Sequence, residues 1–549
     1  MKQPDKNIWL IAIIGALLFI PFLGMVHLFD WDEINFAESA REMIVTGDYW
    51  RPKINFQPFW EKPPLFIWLQ VVSMKAFGIN EFAARLPNAV VGIASLIVIY
   101  NIGKKIFNKQ FGLLWVLVYI GSILPHFYFK TGIIDPTFNL FIFCGVYFMF
   151  RRIDSLDAGK SHSSAWHTIL SGVFIGLAIL TKGPTALLLS AITILVYFII
   201  RNKYTKLYLK EYLIFSLAAI AVAAIWFGLE TLQHGSWFIH EFFDYQIRLL
   251  STPDSGHGGP WYYHPIVILI GCFPASILFF CVFKKNGADS STQRAFKLWM
   301  IILFFVVLII FSIVKTKIVH YSSLCYLPLT FCAAYVLYNF SKNKNVLPAT
   351  LKILFLFIGI VFSTLLIAIP IVGINISNIV PYVHDKFAIG NMQADVPWSY
   401  AHCAIGIFYL IAVILAFYFI QKKNVFKGFS FLLICTIVMM QATLVLIVPK
   451  IELYSQNAAI SFYQSLKGKN VYVDVLGFKS YAQLFYTDKQ NPQNKNSLNQ
   501  NWLLTGQIDK PVYFVCKINN ADNYLQQYHL TKIGEKNGFV FLTRVFTIP

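Results

Sequence analysis

Charge is scarce in this sequence. Only 13% of its 549 residues are Asp, Glu, Lys or Arg, against about 25% in a soluble globular chain. Hydrophobic residues make up 57%, and mean hydropathy is +0.60. An ordinary soluble enzyme is excluded. Acids are scarcer still, 26 against 45 Lys and Arg, for a formal net charge of +19. The basic residues nevertheless lie mostly in short loops between apolar runs and form no continuous stripe, so no nucleic-acid partner is expected. The eight cysteines stand singly, most of them inside apolar runs (Cys144, Cys272, Cys281, Cys325, Cys332, Cys435), with no CxxC or metal-finger spacing. They read as small buried apolar side chains. No P-loop occurs, nor a GxGxxG in strand-turn-helix context, and no repeat recurs at a period of about 20–50 residues.

What the chain has instead is long apolar runs, continuous rather than alternating, which predicts membrane-spanning helices and not a barrel. They fall near 8–29, 86–106, 112–129, 135–150, 167–181, 183–200, 212–230, 264–283, 297–314, 320–340, 350–372, 399–420 and 428–447, about thirteen spans of a hydrocarbon core about 30 Å thick. The first lacks a small-residue cleavage pattern and is longer than the apolar core of a signal peptide, so it reads as a permanent anchor. With the N-terminus inside, the inward loops "GKKIFNKQ", "RRIDSLDAGK", "RNKYTKLYLK", "KKNGADSSTQRAFK", "SKNKNVLP" and "QKKNVFK" are short and basic, as the positive-inside rule requires. The acidic and aromatic clusters then share the outer side, in segments 30–85, 231–263 and 375–398.

After residue 448 the composition turns soluble. "VYVDVLG", "PVYFVCKI" and "GFVFLTRVF" read as strands, and "KSYAQLFYT" and "NADNYLQQYH" as helices. A small α/β domain is expected over 449–549, on the outer side, with "KQNPQNKNSLNQN" a mobile polar loop within it.

The densest acidic cluster is "FDWDEINFAESAREMIVTGDYW", at the edge of the first span. Ile34, Ala37 and Ile44 recur at helical spacing, with Asp30 or Asp32 as N-cap and Gly47 as terminator. This predicts an amphipathic helix lying on the outer leaflet, with Glu38 and Glu42 on its solvated side and Asp32 and Glu33 at its N-terminus, where the helix dipole favours a carboxylate. "FQPFWEKPPLFIWLQ" follows, with Glu61 and Lys62 ahead of a second amphipathic stretch that reaches about Phe77. Asp135 and Lys182 stand at the outer ends of apolar spans, where a charge is costly enough to suggest function.

"DEINFAESAREMIVTGDYW" with "FWEKPPLFIW" resembles the first outer loop of bacterial membrane glycosyltransferases related to 4-amino-4-deoxy-L-arabinose transferase (ArnT-like) and to protein O-mannosyltransferases. The resemblance continues in order through "RLPNAV", "TGIIDPTFNLF", "GLAILTKGPTALL", "GHGGPWYYHPIVILIGCFP" and "FSIVKTKIVHYSSLCYLPL". It implies an α-helical polytopic membrane protein of the GT-C fold over 1–448, in a bacterial inner membrane. A sugar on a polyprenyl-phosphate (undecaprenyl-phosphate) carrier would be transferred, with inversion, to lipid A, a glycan or a protein at the periplasmic face.

Carried over residue by residue, the resemblance implies a catalytic Asp32 with Glu33 orienting it, and Asp135 beside them. Lys62 and Arg248 would hold the carrier phosphate, and Glu61 would orient Lys62. Lys182, Lys317 and His320 of the "KxKxxHY" pattern complete the substrate-binding set, with Lys315 next to it. His257 with Glu61 corresponds to a zinc pair in some relatives, although no metal or other cofactor is expected to be required. Where lipid A-modifying relatives carry an arginine three residues after the first acid, this chain has Asn35, which leaves the donor sugar open. A glycolipid transporter is the alternative reading, but it would favour paired repeats and charges at the bilayer midplane. A receptor made of the C-terminal domain on a membrane anchor would leave the charged motifs elsewhere unused.

Overall fold

The computed structural model describes residues 5–159, 166–203, 205–252, 256–284, 288–342 and 346–545. Parts of the basic loops near 160, 285 and 343 lie outside these residues. Every predicted apolar segment contains helix, but length separates them. Among the described residues seven helices are long and apolar enough to cross a membrane, or eight if the pair Lys109–Ile120 and Ile123–Lys130, bent by 86°, is one span. This number, by length and composition alone, does not confirm the expected count of about thirteen. The first segment is helical only over Lys6–Phe19, Trp166–Lys182 and Thr185–Ile200 are also short, and the 264–283 run divides into Tyr263–Gly271 and Ala275–Phe279. Proline and turn residues explain the division, since Pro274 has no N–H to continue the ladder.

The membrane core is one continuous apolar cluster running from Ile11 to Ile447. Small residues let its helices approach closely, as they do in membranes generally. A Cβ on Gly176 would meet Val222 Cβ at 2.5 Å, and one on Gly172 would meet Ala218 Cβ at 2.5 Å, so Trp166–Lys182 lies directly against Lys206–His234.

The cluster expected on the leaflet surface is instead interior. Asp32–Thr46 is buried at every position from Glu33 to Met43, between the Leu65–Phe77 helix and the C-terminal domain. Glu38 and Glu42 are thus core residues. Arg41 answers Glu38 through Nε and Nη2 at 2.8 and 2.7 Å and reaches Asp488 at 3.2 Å. Glu42 accepts from the Phe56 N–H at 2.8 Å. Burial, then the neighbouring Glu38 carboxylate, push its carboxyl up to about 9. Phe56 belongs to a two-residue turn joining β1 (Lys53–Ile54) to β2 (Gln57–Pro58). Asn55 and Phe56 both have positive φ there, the backbone that a tight hairpin needs.

The C-terminal region forms a four-stranded sheet of β3 (Tyr472–Leu476), β4 (Val512–Lys517), β5 (Thr531–Lys536) and β6 (Phe539–Arg544), in the order β3-β4-β6-β5. β3 and β4 are parallel and the other pairs antiparallel. Side chains alternate as strands require. Val473, Val475, Val515, Phe539 and Phe541 face the outer helices, while Tyr472, Leu476, Phe514, Val540 and Leu542 face Leu503, Leu504 and Ala521. The polar stretch expected to be mobile holds the Lys495–Leu498 turn and the Gln500–Thr505 helix. Segment 375–398 packs on the same domain, with Phe387 edge-on to Phe539 and Asn519 bonded to Asp385.

Candidate active site

One cavity of about 460 Å³ opens between the outer loops, the span ends and the C-terminal domain. Asp32, Glu33, Glu61, Lys62, Asp135, Lys182, Arg248, His257 and His320 all line it. Of the residues expected in the site, Lys317 is elsewhere. It is buried and its Nζ donates to the carbonyls of Phe311 and Ser312 at 3.0 and 2.7 Å, so it caps the Ser291–Ile313 helix, where a cation is favoured. Its backbone N–H donates to the His257 carbonyl at 2.7 Å. The "KTK" turn is thereby tied to the "GHGG" loop.

The centre of the cavity is a relay of charges. His320 Nε2 lies 3.2 Å from Asp32 Oδ2 and 3.7 Å from Asp135 Oδ2, and Lys182 Nζ is 2.5 Å from Asp135 Oδ1. Asp32 and Asp135 each begin a helix and Lys182 ends one, so every charge complements the dipole it sits on. Accessibility separates the two acids: the Asp32 side chain is 38% exposed, that of Asp135 only 4%. Gly183 lets the chain turn directly after Lys182. Its φ is +110°, and a Cβ there would meet the Phe242 ring at 2.6 Å.

The second group is cationic and rests on one aromatic ring. Lys62 Nζ is 4.8 Å and the Arg248 guanidinium carbon 5.2 Å from the Tyr245 ring centroid, and Trp60 meets the same ring edge-on. Tyr245 and Arg248 are three apart on the Trp237–Ser251 helix, hence on one face. A face-on ring holds a cation through its quadrupole without consuming N–H donors. Lys62 forms no ion pair among the described residues and keeps its donors for a ligand.

Glu33, expected to orient Asp32 directly, is fully occupied with the scaffold. It accepts from Arg85 at 2.9 and 2.7 Å and from the N–H groups of Phe29 and Gly132 at 2.9 and 2.5 Å. Burial alone would raise its carboxyl, but Arg85 and these N–H groups hold it below the ordinary range. Arg85 also donates to the carbonyls of Leu23, Val26 and His27. One turn later Asn88 Nδ2 holds the carbonyls of Thr131 and Ile133 at 2.7 and 2.6 Å. The "RLPNAV" segment therefore fixes both loops that deliver the acids, the one before Asp32 and the one before Asp135.

Three further features shape the cavity, and two of them, Trp31 and Lys479, had no motif to announce them. Trp31, at φ 77°, occupies backbone that costs a non-glycine residue roughly 1–3 kcal/mol. Asn35 Oδ1 is buried with no hydrogen-bond partner and lies on the cavity wall one turn after Asp32. Lys479, from the C-terminal domain, also lines the cavity. Glu61 and His257 share the cavity, but among the described residues no cluster of three or more His, Cys, Asp or Glu side chains could hold a metal ion. A zinc site takes at least three protein ligands, and among the described residues Glu61 and His257 supply two.

A family model described as dolichyl-phosphate-mannose-protein mannosyltransferase matches residues 61–227. An uncharacterized protein of Aquifex aeolicus is 30% identical over 320 residues, covering 58% of this chain and 70% of that one. Undecaprenyl phosphate-alpha-4-amino-4-deoxy-L-arabinose arabinosyl transferase 2 of Proteus mirabilis is 26% identical over 324 residues, 56% of each chain. The chain thus aligns with little more than half the length of that transferase. The crystal structure of ArnT from Cupriavidus metallidurans bound to undecaprenyl phosphate superposes with a TM-score of 0.75 at 17% identity, covering 99% of both chains. The likeness in fold covers nearly the whole of both chains. By sequence the chain is similar to protein mannosyltransferases over residues 61–227 and to an arabinosyl transferase over about half its length, and in fold it is an ArnT-like, GT-C membrane protein.

Proposed function

We propose that this protein transfers a sugar from an undecaprenyl-phosphate carrier to an acceptor hydroxyl at the outer face of a bacterial inner membrane, inverting the anomeric centre. The observation that carries this is the coexistence, in one cavity, of the exposed Asp32 carboxylate backed by His320, Asp135 and Lys182, and of Lys62 with Arg248 on Tyr245. Asp32 accepts the proton of the acceptor hydroxyl as its oxygen attacks the anomeric carbon. The bond from that carbon to the phosphate oxygen breaks, and the carrier leaves as polyprenyl phosphate. Lys62 and Arg248 neutralise the charge that develops on it, which is where preorganised cations lower a barrier most. A single displacement of this kind inverts. The unpartnered Asn35 carbonyl is suited to accept from a sugar hydroxyl, because a buried acceptor left unpaired is costly until a ligand fills it.

The basic loops at the opposite end support an outward-facing cavity. The acceptor, whether lipid A, another glycan or a protein, enters from that side together with the lipid-borne donor. Mass spectrometry of glycolipids and glycoproteins from cells with and without the gene tests the reading. A glycan present only with the active protein, and missing with Asp32→Asn, is expected; identical profiles in all three strains exclude it.

A further inference from the structure

The C-terminal domain adds its own hold, beside Arg85 and Glu33, on the residues leading into Asp32. His27 Nδ1 lies 2.9 Å from Glu452 Oε1. The Leu28 N–H donates to the Tyr486 hydroxyl at 2.8 Å, and its carbonyl accepts from Gln456 Nε2 at 2.9 Å. Gln456 Oε1 accepts from the Asp30 N–H at 3.3 Å, so one amide side chain reads two main-chain groups as a neighbouring strand would. The Asp30 carboxyl rests against the Ser480 hydroxyl. Next comes Trp31, in left-handed backbone, whose ring carries Lys479 Nζ at 5.0 Å from its centroid. A strained residue persists where its surroundings over-determine it, and here those surroundings belong to another part of the chain, more than 400 residues away.

Lys479 has the same construction as Lys62. Its ammonium is seated on an aromatic face, it forms no ion pair among the described residues, and it lines the reaction cavity. Of the cations nearby, Lys182 pairs with Asp135 and Lys317 holds helix carbonyls, while Lys62 and Arg248 share the Tyr245 ring as the other station. The cavity therefore has two cationic stations on two different aromatic rings. The donor has one phosphate on which to use them. The station on Trp31 adjoins Asp32 and is supplied by the domain outside the span bundle, on the side from which an acceptor arrives.

We propose that the C-terminal domain is a working wall of the transferase site: Gln456, Tyr486 and Ser480 position Asp32 by clamping residues 28–31, and Lys479 binds an oxygen-rich group of the acceptor, a phosphate or saccharide hydroxyls. This rests on the transferase reading above, and the two can fail separately.

The test combines two measurements on the full-length protein. Purified variants are titrated with undecaprenyl phosphate, and the same variants, expressed in the deletion strain, are assayed for the glycan product by mass spectrometry. Lys479→Met and Gln456→Ala are expected to bind undecaprenyl phosphate within about twofold of the parent, yet to lower product by about tenfold or more, since a displacement of about 1 Å can cost on the order of 100-fold. Lys479→Arg should restore product. If Arg alone restores it the group is anionic, and if Lys479→Gln restores it too the group is a hydroxyl; both outcomes support the proposal. Parental product in both Lys479→Met and Gln456→Ala overturns it, as does a Lys479→Met variant that loses undecaprenyl phosphate binding. Gln456→Ala with unaltered thermal unfolding and reduced product separates positioning from a folding defect. If the parent chain itself fails to bind undecaprenyl phosphate, the transferase reading falls instead.

Discussion

Nε2 of His320 stands 3.2 Å from Oδ2 of Asp32, so the ring links the exposed carboxylate to the shielded Asp135–Lys182 pair behind it. The ring nitrogen thus sits between the two carboxylates, within hydrogen-bond reach of Asp32. Asp32→Asn keeps the shape and loses the basicity. Turnover is expected to fall by about 100- to 10,000-fold, the usual contribution of a general base, with undecaprenyl phosphate affinity nearly unchanged. Single-turnover rates beside a carrier titration check this; equal losses in both would place Asp32 in binding instead.

Lys62→Ala and Arg248→Ala should do the reverse. Hydrogen bonds to charged groups contribute about 1.5–3 kcal/mol, so each variant should weaken undecaprenyl phosphate binding by roughly ten- to a hundredfold. Tyr245→Leu removes the ring that seats both cations, and an intermediate loss is expected without any change in formal charge. A tyrosine variant with parental affinity would mean the cations are placed by something else.

Glu33→Gln is expected to act on folding more than on chemistry. It leaves Arg85 buried without the carboxylate that pairs it, and breaking such a pair costs about 3–5 kcal/mol. The measurable result is a lower unfolding temperature and poor membrane yield. A stable, well-inserted but inactive Glu33→Gln protein would instead return Glu33 to the chemistry.

Glu42 sets a pH dependence. Its carboxyl is raised from an ordinary 4.5 to about 9, so the folded state holds a proton that the unfolded state releases. Its contribution to stability is full below about pH 4.5 and is lost as pH rises through about 9. Glu42→Gln mimics the protonated acid, can still accept from the Phe56 N–H, and can donate to Glu38. Thermal unfolding between pH 5 and 9 should therefore fall less steeply for the variant, while turnover stays close to parental. Turnover is spared because the group is buried and neutral, not because it faces water.

Sidedness is checked by thiol labelling. Ser377→Cys and Asn499→Cys, both exposed at the cavity end, should react with an impermeant reagent in cells whose outer barrier is permeabilised, and Lys422→Cys at the opposite end should be protected. The reversed pattern would turn the protein over in the membrane.

The class of protein, the order of its motifs and most of the charged residues lining the cavity were legible in the chain, because each is a local pattern: an apolar run, a helix start, an Asp-Glu pair, a Glu-Lys-Pro turn. Helix length was not, because Lys6–Phe19 and Ala349–Ile374 both lie in apolar runs and yet differ in length. β5 was hidden for a related reason. "TKIGEK" is a mostly exposed edge strand with lysine at both ends of its pairing, a polar composition that protects an edge and erases the usual strand signal.

Burial and pairing across distance lie beyond any local pattern. Glu33 and Glu42 are acids on the same helix as Asp32, and their spacing suits a solvated face equally well. Only the packing of Leu65–Phe77 on one side and of a domain more than 400 residues away on the other makes Glu42 a neutral core group, Glu33 the anchor of Arg85, and Asp32 the one left open to the cavity. Composition and periodicity decide what each segment can become, since they act between neighbours. Which charge is exposed, which is paired and which is neutralised depends on the dielectric and the partners that the assembled fold brings to it.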